Sequence, residues 1–115
     1  MKRLELAALP RARDGTHFLY AVEFDGGLTK VGSTRGPRTR MELLFHRSIQ
    51  LGLGPMRSLY MHGFPDRHGG FIVERRMVQA ITAMAPPTKG REWFRDMDYL
   101  SIVGVVKAFA TAYGG

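Results

Sequence analysis

A glutamate and a group of arginines carry the chemistry that this sequence offers. Residues 71–85 read as an amphipathic helix whose apolar stripe is Phe71, Met77, Val78 and Ile81. Glu74 falls about 300° around the helix from Phe71, near the middle of that stripe. A carboxylate there costs free energy unless it is paired or holds a cation. Glu74 is therefore a metal ligand or catalytic group at the core edge, a buried ion-pair partner, or a glutamate that escapes at a rim. Its neighbours Arg75 and Arg76 lie off the stripe and reach water. An earlier helix opens at Gly36-Pro37, with Arg35 and Arg38 near its start. Arg40 and Arg47 follow on it, two turns apart along one edge of its apolar face. A helix N-terminus flanked by arginines suits a phosphate; a solvated basic face is the alternative.

Other reactive side chains carry less. His62, Asp66 and His68 share one loop, at a spacing that matches no zinc pattern, and read as ordinary polar loop residues. His46 reads as a rim histidine, Trp93 and Phe94 as core anchors, and the 7 methionines as core filling.

The composition narrows the class. With 115 residues there is room for one modest core. We read residues 1–15 as a basic lead-in and 16–115 as a single domain. The 17 Lys and Arg outweigh the 10 Asp and Glu for a net charge of +7, which points to a polyanionic partner, nucleic acid foremost. Cysteine is absent, which excludes disulfides, thiolate zinc sites and a cysteine nucleophile. No apolar run approaches the roughly 20 residues a membrane span needs, so no membrane partner and a cytoplasmic location are expected.

The elements that must position these residues are legible in outline. His17 to Phe24 is aromatic and β-branched enough for a strand, Asp25-Gly26-Gly27 signals a turn, and Leu28 to Ser33 returns as a second strand. The first helix should bury Met41, Leu44, Phe45, Ser48 and Ile49 and end at Gly52 and Gly54. Pro55 to Phe64 reads as a third strand, followed by the Glu74 helix and its stop at Pro86-Pro87. Arg91 to Phe94 reads as a short extended or turn segment. Asp98 to Tyr113 reads as a last helix, with Asp96 and Asp98 near its start favouring its dipole. The expected fold is α+β, a small antiparallel sheet of about three strands with helices around it, in the order ββαβα and then α.

The hairpin, the arginine on the first helix and the carboxylate on the second resemble the GIY-YIG nuclease superfamily. Phe18-Leu19-Tyr20 corresponds to the first motif and keeps its tyrosine but not its glycine. Lys30-Val31-Gly32 corresponds to the second, keeping the glycine and an aliphatic residue with lysine in place of tyrosine. The intervals from Tyr20 to Lys30 and from Gly32 to Arg40 are typical of the family, and Glu74 stands where its metal-binding glutamate belongs. Lys30-Val31-Gly32-Ser33-Thr34 looks like the K-[IV]-G-x-T form of the phage-type branch, and Glu92-Trp93-Phe94 is similar to its E-W-F segment. The asparagine that many members use late in the site has no counterpart, because the chain contains none.

The resemblance implies a divalent-metal-dependent DNA endonuclease that hydrolyses phosphodiester bonds with one Mg²⁺ or Mn²⁺. It implies Tyr20, Lys30, Arg40 and Glu74 as the catalytic set. Glu74 would hold the metal and Arg40 a non-bridging phosphate oxygen. Tyr20 would serve as the base if positive neighbours lower its pKa, with Lys30 as the alternative for that role. Arg35, Arg38, Arg47, Arg75, Arg76, Lys89 and Arg91 would contact the DNA backbone. A partner protein would supply site discrimination that so small a core lacks. Two other readings stand beside this one. The chain is a catalytically weak or inactive DNA-binding module on the same fold, or a phage or mobile-element protein that acts through protein contacts.

Overall fold

The computed structural model describes residues 9–10, 14–84, 92–95 and 97–115. Two strands come first, β1 (Thr16–Phe24) and β2 (Leu28–Thr34), then helix α1 (Pro37–Leu51) and strand β3 (Met56–Pro65). A single 3-10 turn at Asp66–His68 leads into α2 (Gly70–Met84). The short strand β4 (Trp93–Arg95) and helix α3 (Tyr99–Ala112) complete the chain. The α+β class is as expected from the sequence. The sheet has four antiparallel strands rather than three, in the order β3-β1-β2-β4. The added strand is the segment read as extended or turn. Three residues are too few to show a strand's alternation, and β4 exists because Leu28, Thr29 and Lys30 of β2 offer it an open ladder.

Both faces of the sheet are covered, so β1 and β2 carry almost continuous burial instead of alternation. On one face Tyr20, Val22 and Phe24 pack with Met41 and Leu44 of α1, joined by Met56 and Trp93. On the other, Leu19, Ala21, Val31 and Phe94 meet Val73, Met77 and Ile81 of α2 and Ile102, Val106 and Ala110 of α3. The register aligns Tyr20 with Gly32 and Val22 with Lys30, so Tyr20 and Lys30 share the α1 face.

The helices correct two expected faces. In α1 the buried residues are Pro37, Met41, Leu44 and Ser48, while Ile49 is 66 % exposed. In α2 the buried set is Gly70, Val73, Met77 and Ile81, and Phe71 is 67 % exposed. The α2 stripe is thus centred near Met77, and Glu74 lies at its rim, half-buried, rather than in its middle. Gly70 sits on the buried face because nothing larger fits. A Cβ there would stand 2.1 Å from Nδ1 of the fully buried His17. α3 begins as expected at Asp98, whose carboxylate accepts the Ser101 N–H at 3.2 Å. Asp96 and most of the 1–15 lead-in lie outside the described residues. Among the described residues no helix is long and apolar enough to cross a membrane.

Candidate active site

Tyr20 occupies the middle of β1, one of the two inner strands, flanked by Gly32 on β2 and Met61 on β3. Its ring lies across Gly32, where a Cβ would meet the phenol oxygen at 2.6 Å and Cζ at 2.8 Å. Gly32 is therefore a space reserved for the Tyr20 ring. Four charged side chains act on the phenol. They are Arg40 and Arg47 from α1, Glu74 from α2, and Glu92 from the turn before β4. The fold thus brings three members of the expected catalytic set, Tyr20, Arg40 and Glu74, into one electrostatic neighbourhood.

Lys30, the fourth, is on the same sheet face and only 7 % exposed. Its ammonium forms an ion pair with the Glu92 carboxylate and stands 5.7 Å from the Trp93 ring centroid. The backbone fixes Glu92 for this pairing, since the Val31 N–H donates to the Glu92 carbonyl at 2.9 Å. Glu92 is a candidate site residue that sequence reasoning missed. It was visible only as the first letter of the E-W-F segment.

Glu74 and Glu92 line one cleft of about 560 Å³ together with Phe71, Arg75, Val78, Gln79 and Thr82. Glu92 is neutralised by Lys30. Glu74 lines the cleft and has no ion pair or hydrogen bond among the described residues. A hard ion such as Mg²⁺ keeps several waters and needs only one or two carboxylates. Among the described residues no three acidic or imidazole groups gather. His62 lies within β3 rather than in the loop and bonds Tyr60 at 2.8 Å, Asp66 engages His17 and Arg35, and His68 packs on Tyr113.

The electrostatics of Tyr20 differ from the expectation for a base. Burial pushes its phenol well above the ordinary tyrosine pKa of 10.0, and this outweighs the lowering by Arg40. Glu92 and Glu74 push it further up, and Arg47 pulls it slightly back. Lys30 is instead engaged by Glu92. Near neutral pH the phenol is a hydrogen-bond donor.

The expected backbone-contact residues are dispersed. Arg75 borders the cleft and Arg47 lies exposed on α1. Arg35 pairs with Asp66, and Arg38 donates to the Leu9 carbonyl at 3.1 Å. Arg76 points away from Glu74 and donates to the Tyr113 hydroxyl at the end of α3. Lys89 and Arg91 lie outside the described residues. No family model, curated protein or solved structure matches this chain.

Proposed function

We propose that this chain is a metal-dependent DNA endonuclease of the GIY-YIG type. The observation that carries the reading is the gathering of a buried phenol, an arginine and an unpaired glutamate from three separate elements. That set is what the sequence resemblance implies, and it suits phosphodiester hydrolysis, in which water adds to phosphorus and gives its proton to solvent while the P–O3′ bond breaks and the leaving 3′-oxygen takes a proton from solvent.

In this reading the Arg40 guanidinium, half-buried and without an ion pair among the described residues, holds non-bridging phosphate oxygens through its fork of N–H donors. Glu74 holds one Mg²⁺ or Mn²⁺. When bound, that ion supplies positive charge for the oxygen leaving phosphorus. Tyr20 keeps its proton and orients the attacking water or a phosphate oxygen as a donor. Lys30 is fixed in place by its ion pair with Glu92. The net charge of +7 provides the long-range attraction for DNA.

One observation favours the second reading, a DNA-binding module without turnover. Tyr20 is held protonated and Lys30 is taken up by its ion pair with Glu92, so neither side chain is free to activate a water. Cleavage of supercoiled plasmid separates the two readings. The endonuclease nicks with Mg²⁺ or Mn²⁺, stops in EDTA, and loses activity in Glu74→Gln. A folded wild type that shifts DNA at low salt yet stays inert with both metals establishes the binding module instead.

A further inference from the structure

The α2 residue that the sequence placed in the core is the one that the structure puts in the open. Phe71 is 67 % exposed and lines the same cleft as Glu74, one helical turn before it. A lone exposed aromatic is ordinary on a protein surface. This one is braced. Its ring stands edge-on to the His17 imidazole, with centroids 5.2 Å apart and planes at 80°. His17 is fully buried, its Nδ1 lies 3.3 Å from the Asp66 carboxylate, and Asp66 is tied in turn to Arg35. Gly70 lies against the same imidazole, where a Cβ would collide with it. The result is an aromatic backed on one side by a buried ring and presented to a cleft, with the exposed Arg75 one turn further along the helix at the i+4 position.

We propose that Phe71 is a stacking platform for an unpaired nucleobase, and that the DNA taken by this cleft is single-stranded or locally unpaired. The proposal rests on the DNA-acting reading above and adds the form of the substrate to it. In a duplex interior both faces of each base are already stacked, so an exposed ring gains a partner only where a base has a free face. Stacking of this kind tolerates any sequence. Arg75 is spaced to hold the phosphate beside the stacked base, while Glu74 lies between them in sequence at the reacting position. With Glu92 paired to Lys30, Arg75 in the cleft lining and the net charge of +7 on the chain favour a polyanion over an apolar peptide as the occupant.

The test is fluorescence anisotropy of the full chain with a labelled 20-nucleotide single strand and with the blunt duplex of the same sequence, both in EDTA. The wild type is expected to prefer the single strand. Phe71→Ala should weaken single-strand binding about five- to 150-fold, the range for one lost base–aromatic stack, and leave duplex binding within about twofold. Phe71→Trp should retain the wild-type affinity. Unchanged melting of Phe71→Ala confirms that the loss is one of contact. Single-strand binding that ignores Phe71→Ala, an equal loss on both DNA forms, a wild-type preference for duplex, or no binding to either overturns the proposal. Because metal is absent, the result is separate from cleavage. Metal-dependent nicking with a neutral Phe71→Ala sinks the platform alone, and Phe71-dependent binding without any nicking sinks the endonuclease alone.

Discussion

Tyr20 and Gly32 occupy one volume between them, because the tyrosine ring fills the place where a side chain at 32 would begin. The relationship is set by the ladder, which puts the two residues directly opposite each other. Gly32→Ala must therefore displace a buried ring in an inner strand. We expect a loss of about 1–3 kcal/mol in stability, the usual cost of overpacking. Any nuclease activity should fall more than stability does, since the displaced group is the phenol. Urea unfolding and plasmid nicking of the same preparation check both.

The Lys30–Glu92 pair should be more costly to halve than to delete. Lys30 is nearly buried, and Glu92→Gln leaves its ammonium without a counter-charge. We expect Glu92→Gln to lose about 1–3 kcal/mol, below the range for a fully buried pair because Glu92 is one-third exposed. The double variant Lys30→Met with Glu92→Gln should recover part of that loss. A thermodynamic cycle over the four proteins reads the coupling, and additive losses would refute it.

Alkaline pH should destabilise the protein through its buried phenols. Burial raises Tyr20 well above 10.0, and burial with the nearby Glu23 pushes Tyr99 up to about 12. Below pH 10 these tyrosines are neutral in both folded and unfolded chains, so their contribution is fully present. Above pH 10 the unfolded chain ionises first, and stability falls as pH rises through the folded values. Each such group contributes a slope of up to about 1.4 kcal/mol per pH unit. Tyr20→Phe should flatten the decline between pH 10 and 12, measured by denaturant titration. An unchanged slope contradicts the burial of the phenol.

Gly70→Ala should act on the site from a distance. The new methyl group meets the His17 ring, so the first turn of α2 must shift, and Glu74 lies one turn along. A loss of about 1–3 kcal/mol is expected. Replacing His17 with alanine in the same chain removes the collision, and the double variant should melt above the sum of the two single losses.

The hairpin was legible in the sequence because its turn is three consecutive turn-forming residues between two β-rich runs. The first helix was legible from Pro37 and the 41/44/48 spacing. The face of α2 was misread for a physical reason. Gly70 is buried yet has no side chain to register in an apolar pattern, while Phe71 weighs heavily in that pattern and faces solvent. Phasing the stripe on Phe71 moved Glu74 inward by part of a turn. The site residue Glu92 stayed hidden because its partner Lys30 is 62 positions away and its neighbours read as core anchors. The raised pKa of Tyr20 was out of reach for a similar reason, since the covering of both sheet faces depends on long-range packing.

The β1–β2 ladder also works as a ruler. Every paired position from Phe18 with Thr34 to Glu23 with Thr29 is fixed by the same alignment. A slip of one step would swap Lys30 for Thr29 or Val31 on the α1 face and carry Gly32 out from under the Tyr20 ring. The tip at Asp25-Gly26-Gly27 is then the only part of the hairpin that can change length and leave the alignment intact. Insertions or deletions within either strand, even of one residue, would dismantle the site while the apolar content of the chain stayed the same.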